Sequence, residues 1–118
     1  MNYLEAAQEI TKLVPDIQNE WNDSPHHNSL TVVRAFTECI KTMIRQNDRK
    51  LLFSCLQEMD KMYMHGDTML KNAIDNTFIY SLDNCTAFCS AEYRKVIFSH
   101  ISAELQQSYS KQIYSHGI

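Results

Sequence analysis

The apolar residues between positions 51 and 82 recur at helical spacing in two separate stripes. The first stripe, which repeats every three or four residues as one helix face does, consists of Leu51, Leu52, Cys55, Leu56, Met59, Met62 and Tyr63. The second consists of Met69, Leu70, Ala73, Ile74, Thr77 and Phe78. Between them, Gly66 can adopt the left-handed conformation that ends a helix, and Asp67 can cap the next one. The pattern predicts an antiparallel helix pair hinged at His65, Gly66 and Asp67.

The residues before this pair predict three more helices. A regular apolar stripe indicates a helix over residues 3–13, and Pro15 ends or bends it before a short second helix. Residues 22–29 carry no apolar side chain and predict a loop. Ser29 is then expected to cap a long helix that ends near Arg45. The expected buried face of this long helix consists of Leu30, Val33, Phe36, Thr37, Ile40, Met43 and Ile44.

The remaining third of the chain continues the helical pattern. Asp83 and Asn84 predict a turn, and another helix begins at Ser90 or Glu92 and runs towards the C-terminus. No segment shows the two-residue alternation that is typical of a strand. We therefore expect an all-α fold in which residues 1–118 form a single helical domain. Its architecture would be an antiparallel bundle of about five to seven helices, or a stack of helix hairpins.

Composition and charge narrow the class of protein. The 118 residues, 44% of them hydrophobic, suffice for one core and are too few for two. The net charge of −3, with scattered Lys and Arg, argues against a nucleic-acid partner, which needs a basic face. No apolar run approaches the roughly 20 residues of a membrane span, and none resembles a signal-peptide core. We expect a cytoplasmic monomer or homodimer with no membrane partner.

The residue types that carry chemistry do not form a catalytic, metal or cofactor motif. Cys85 and Cys89 lack the close knuckle spacing of a zinc site, while Cys39 and Cys55 fall on apolar faces typical of reduced, buried thiols. The five histidines form no HExxH pattern, and neither a phosphate-binding glycine loop nor a nucleophile elbow occurs. We therefore expect no enzymatic activity and no cofactor.

The candidate binding residues surround the single tryptophan. They are Glu20, Trp21, Asp23, His26 and His27, which combine an indole, two acids and two histidines in a polar segment. Such a mixture is typical of protein-binding hot spots. The alternative is that Trp21 covers the core from its rim, and one indole can do both. Asp16 and Glu20 share a helix face, where two acids usually form a solvated surface rather than a catalytic pair.

Residues spread over most of the chain also carry a family resemblance. They are Ile10, Leu13, Val14, Pro15, Asp16, Ile17, Glu20, Phe36, Met59, Met62, Asn72, Ala73, Ile74 and Phe78. The order of these residues along the chain resembles that in an uncharacterised family of small all-helical bacterial proteins. Members of that family are found beside polymorphic toxins and are regarded as immunity proteins. It departs from that family at Tyr80 and Ser81, where a glutamate is common. The resemblance implies a cytoplasmic protein, without enzymatic activity or cofactor, that binds and neutralises a cognate toxin.

Two functions therefore compete at the level of sequence. The first is a bacterial immunity protein whose toxin contacts the residues around Trp21. The second is a helical adaptor or homodimeric interaction module without catalytic activity. It would use the methionine-rich face of the hairpin, formed by Met59, Met62, Met64 and Met69, because methionine repacks against varied partners. An enzyme would instead need a polar pocket that encloses His65 or His100 with carboxylates.

Overall fold

Helices make up the architecture of the computed structural model, which describes residues 1–23 and 28–115. They are α1 (Tyr3–Leu13), α2 (Gln18–Asp23), α3 (Ser29–Gln46), α4 (Arg49–His65), α5 (Thr68–Ala73), α6 (Ile79–Thr86), α7 (Ala91–Ser99) and α8 (Ala103–Ser115). A 3₁₀ turn (Pro15–Ile17) leads into α2, and a π-helical turn (Ile74–Phe78) joins α5 to α6. No strand occurs in the described ranges. The all-α bundle expected from the sequence is confirmed.

Helix α1 begins with a reciprocal cap and packs against α3 and α4. The Glu5 backbone N–H donates to the Asn2 side chain at 3.0 Å, and the Asn2 N–H donates to the Glu5 carboxylate at 3.3 Å. This capping box satisfies donors that a helix start leaves unpaired. Ala6 and Ile10, one turn apart, are fully buried on the inner face. The helix has the predicted bounds.

Helix α3 differs from its prediction in its first turn. Asn28, rather than Ser29, caps it by accepting a 2.9 Å hydrogen bond from the Thr31 N–H, and Ser29 is buried in the first turn. Leu30 is 41% exposed in this first turn, in contrast to its predicted place on the buried face. The helix ends at Asn47, whose φ of 58° places it in the left-handed region. The predicted long helix and its end near Arg45 are confirmed.

The hinge between α4 and α5 is present, with a different role for its glycine. Asp67 caps α5 as predicted by accepting a hydrogen bond from the Leu70 N–H at 2.9 Å. The predicted left-handed conformation of Gly66 is wrong, because its φ of −71° and ψ of 156° are extended. Glycine is required at position 66 because there is no room for a side chain. A Cβ there would lie 2.3 Å from the Met62 carbonyl oxygen and 2.9 Å from the Leu70 Cδ2.

The second apolar stripe of the hairpin is largely buried, and the helical segment that carries it continues further along the chain than predicted. Met69 is 67% exposed, in contrast to its predicted place on the stripe, because it lies in the first turn beside the hinge. Helix α6 runs through the predicted turn at Asp83 and Asn84 and ends at Thr86. The buried Thr86 hydroxyl donates to the Leu82 carbonyl at 2.6 Å, so its polarity is satisfied within the helix.

The core is a continuous cluster to which every long helix contributes. Its largest fully buried side chains are Phe36, Phe78, Ile10, Ile17, Ile40, Leu52, Leu56, Met59, Met62, Leu70, Ile74 and Ile79. Helix α7 adds Ile97 to the same cluster, the segment before α8 adds Ile101, and α8 adds Leu105 and Tyr109. Of the helices in the described ranges, none combines the length and apolar character needed to cross a bilayer.

Candidate protein-binding groove

A groove of about 640 Å³ runs along the outer side of α3, between the α2 region and the start of α4. Its apolar lining comes from all three parts: the partly buried Val14, Ala35, Cys39 and Leu51, and the buried Met43. Polar residues complete the lining: Asp16, Glu20, Thr31, Arg34, Glu38, Thr42, Gln46 and Asp48. The groove therefore combines an apolar lining with charged walls from three neighbouring segments.

The charge of this groove is predominantly negative. Among the described lining residues, four carboxylates face one guanidinium, that of Arg34. Glu38 forms a 3.2 Å ion pair with Lys41 one turn away, but both side chains are substantially exposed and such pairs contribute little. The carboxylates of Asp16 and Glu20 lie on the opposite wall. The groove is therefore suited to a cationic ligand rather than an anionic one.

Cys39 lies in the lining, and the acidic groups around it affect the pKa of its thiol. Burial raises the pKa of its thiol above the ordinary value, and the nearby carboxylates of Glu20 and Glu38 raise that pKa further. A raised pKa keeps the thiol protonated at neutral pH, where a nucleophile or metal ligand would need the thiolate. Cys39 is consequently part of the apolar surface of the groove.

Of the sequence-predicted contact residues, the structure describes the side chain of one, Glu20. Glu20 is exposed and lines the groove, together with Asp16 from the preceding turn. Trp21 and Asp23 belong to α2, but their side chains lie outside the described part of the structure. His26 and His27 also lie outside the described residues. The structure thus places one predicted contact residue in the groove.

Glu38 and Asp48 are lining residues that sequence reasoning missed. Both come from segments distant in sequence from Glu20, and their position in the groove depends on how α2 packs beside α3 and on the α3–α4 turn. The one available signal was the shared helix face of Asp16 and Glu20. Because a pair of acids at that spacing is common on solvated helices, the spacing alone does not identify a groove.

Two polar clusters between the C-terminal helices and their neighbours are internally paired. Tyr63 and Ser108 both donate hydroxyl hydrogen bonds to the Asp75 carboxylate, at 3.0 and 2.5 Å, and so connect α4, the π turn and α8. Tyr109 donates to Asp83 at 2.5 Å, and Arg94 donates to the Tyr109 hydroxyl at 2.7 Å. These contacts join helices. Within the described ranges, no group of three or more His, Cys, Asp or Glu side chains could hold a metal ion.

The buried thiols are also poorly suited to chemistry that requires a thiolate. Burial raises the pKa of Cys55 to about 12 and that of Cys85 to about 11. Both thiols therefore stay protonated at neutral pH, consistent with the small hydrophobic role expected for Cys55. All four cysteines are free.

The methionine-rich face of the hairpin is divided between core and surface. Met59 and Met62 are fully buried, while Met64 is 47% and Met69 67% exposed. A single four-methionine surface is therefore not formed. The exposed pair flanks the hinge, and the first residue of the chain is close by, because the Asp67 N–H donates to the Met1 carbonyl at 2.8 Å.

Comparison with known proteins identifies the family. Residues 7–115 match the model of a domain of unknown function (DUF7674). No curated protein and no solved structure matches the chain. The matched segment includes both walls of the groove and all the helices from α2 to α8. Because the match extends over most of the chain, the protein belongs to the DUF7674 family.

Proposed function

We propose that this protein is an immunity protein that binds and neutralises a cognate bacterial toxin in the cytoplasm, and that the groove along α3 is its toxin-binding surface. The observation that carries the proposal is the combination of an apolar lining with four carboxylates in one groove. A partner with a basic, partly apolar segment matches both features. The family resemblance noted in the sequence supplies the class of partner.

Charge complementarity supports a basic segment as the occupant. A potential of one sign across a groove speeds the encounter with an oppositely charged partner and disfavours like-charged ones. The apolar lining, with Leu51 on one wall and Val14 on the other, offers surface that such a segment can bury. Affinity and selectivity therefore arise from different parts of the same groove.

The scaffold around the groove supports binding without a large rearrangement. The Asn28 cap fixes the start of α3, and the left-handed Asn47 fixes its end. Ile17, Val33 and Phe36 anchor the groove-bearing segments in the core. Preorganised binding surfaces of this kind lose little conformational entropy on association.

Co-expression tests this proposal directly. The gene for this protein is expressed together with each toxin gene that lies next to it in the genome, and growth of the host is measured. We expect growth to be restored against at least one of these toxins. Asp16→Lys combined with Glu20→Lys should abolish protection, whereas Glu104→Lys on α8, an exposed site away from the groove, should retain it. Failure of the unmodified protein against every adjacent toxin would contradict the proposal.

A second candidate function has its own supporting observation. Leu4, Met64 and Met69 are 56%, 47% and 67% exposed, and all three lie within three residues of the contact between Met1 and Asp67. Exposed apolar side chains of this kind suit a homodimeric or adaptor module. Light scattering distinguishes the two functions: a stable dimer that Met69→Lys dissociates, together with no toxin binding, would favour the module.

A further inference from the structure

Two glutamates meet where α1 packs against α4, on the side that carries Lys61. Glu9 of α1 accepts a 2.8 Å hydrogen bond from the Lys61 ammonium through its Oε1. The Oε2 atoms of Glu9 and Glu58 are both inaccessible to solvent, and neither has a hydrogen-bond partner in the described structure when both groups are ionised. Two buried acceptors therefore need one donor.

A proton held between the two carboxyl groups supplies that donor. An ionised carboxylate only accepts hydrogen bonds, whereas a protonated carboxyl also donates one. The charged groups that act on the pair are Lys12 from α1 and Lys61 from α4, and Lys61 is bonded to Glu9. This arrangement favours the ionised form of Glu9 and leaves the proton to Glu58.

We propose that Glu9 and Glu58 share one proton, and that this proton-bridged pair is a pH-sensitive contact between α1 and α4. The pair lies outside the groove, so the proposal is independent of the toxin-binding function. Loss of the proton leaves two carboxylates side by side with their Oε2 atoms shielded from solvent, which weakens the contact by charge repulsion and by an unpaired acceptor. The attachment of α1 should therefore loosen as the pair is deprotonated.

The titration of Glu58 supports this assignment. Burial raises its pKa to about 7, and the hydrogen bond and charge of Glu9 raise it in the same direction. Glu9 shifts the other way: its hydrogen bond to Lys61 lowers the pKa. The neutral carboxyl thus belongs to α4 and the carboxylate to α1. The change of state falls near neutral pH.

Carbon-13 NMR of the side-chain carboxyl groups tests the proposal on the unmodified protein. One glutamate resonance should titrate near pH 7, and it should be missing from Glu58→Gln but present in the matched control Glu92→Gln. If every glutamate of the unmodified protein titrates below about pH 5.5, as ordinary carboxyl groups do, the shared proton is refuted. This result does not depend on any variant folding.

The variant Glu9→Gln distinguishes two explanations of the raised pKa of Glu58, a proton shared with Glu9 and burial alone. With its carboxylate partner removed, Glu58 should titrate at lower pH than in the unmodified protein, because the charge and the hydrogen bond that favour its neutral form are lost. An unchanged midpoint in Glu9→Gln would show that burial alone sets the titration, and would overturn the proposal. Should Glu9→Gln not fold, Glu9→Met gives the same decision: it also removes the carboxylate but adds apolar surface, so the midpoint of Glu58 must fall if the proton is shared and must not fall if burial alone sets it.

Discussion

Both carboxylate oxygens of Asp60 accept a hydrogen bond from the backbone N–H of Ser102, at 3.0 and 2.8 Å. Asp60 lies in the C-terminal half of α4, and Ser102 immediately precedes α8, where its hydroxyl accepts a hydrogen bond from the Leu105 N–H. A carboxylate at the start of a helix is stabilised by the helix dipole and by the unpaired N–H groups there. One side chain therefore fixes where α8 begins relative to α4.

Removing this carboxylate should destabilise the fold. We expect Asp60→Ala to lower the free energy of unfolding by about 1–3 kcal/mol, because it leaves a part-buried N–H without its acceptor. Asp60→Asn keeps one acceptor oxygen and should lose less. Urea unfolding followed by circular dichroism measures both. Equal stability of Asp60→Ala and the unmodified protein would show that the contact does not stabilise the fold.

Alanine should be destabilising at Gly66 for reasons of space. The added Cβ would lie 2.3 Å from the Met62 carbonyl oxygen, which belongs to the backbone and cannot rotate away. Overpacking of this kind typically costs about 1–3 kcal/mol. We expect Gly66→Ala to lower the urea midpoint by a corresponding amount without changing the slope of the transition.

Asn47 provides the matched control, because there the backbone conformation rather than space is limiting. Its φ of 58° is one that glycine adopts freely and alanine does not. Asn47→Gly should therefore leave the unfolding midpoint close to its original value, and Asn47→Ala should lower it. If Gly66→Ala is tolerated as well as Asn47→Gly, the steric account of the hinge is wrong.

Truncation of two phenylalanines should change the free energy of unfolding by very different amounts. Phe78 is 1% exposed in the core, and Phe88 is 96% exposed after the end of α6. Phe78→Ala should cost about 3–5 kcal/mol through lost burial and the cavity it leaves. Phe88→Ala should change the free energy of unfolding by less than about 0.5 kcal/mol. Thermal unfolding of both variants checks the pair, and a large loss in Phe88→Ala would indicate that this side chain is buried in solution.

The stability of the fold should also depend on pH through Glu58. Its pKa is raised from the ordinary 4.5 to about 7, so the folded state holds a proton that the unfolded state releases between these values. The resulting stabilisation is complete below pH 4.5 and is lost as the pH rises through 7. We expect the melting temperature of the unmodified protein, relative to that of Glu58→Gln, to fall across this range. A constant difference between the two proteins would contradict this account.

Helical periodicity predicted much of the fold because burial follows it closely. The bounds of α1, the cap at Asp67 and most of the buried faces could be derived from residue spacing. The conformation of Gly66 could not, since a left-handed turn and a tight contact both select glycine. The π turn (Ile74–Phe78), which interrupts the regular helical repeat, was not predicted by residue spacing, and neither was the continuation of α6 through Asp83 and Asn84.

The candidate groove was less predictable than the fold. Glu20 was identified from its position beside Trp21, but Glu38 and Asp48 reach the same groove from other elements. Local spacing carries no information about which helices become neighbours. The groove depends on that packing, and its charge becomes apparent only when acids from three segments are brought together.

Isothermal titration calorimetry measures whether the acidic groove along α3 binds a toxin. The purified protein is titrated with the product of each adjacent toxin gene. We predict a stoichiometric complex with at least one toxin, weakened at least about tenfold by Asp16→Lys combined with Glu20→Lys and unchanged by Glu104→Lys. No complex with any adjacent toxin, or a complex that the groove variant binds equally well, would contradict the account.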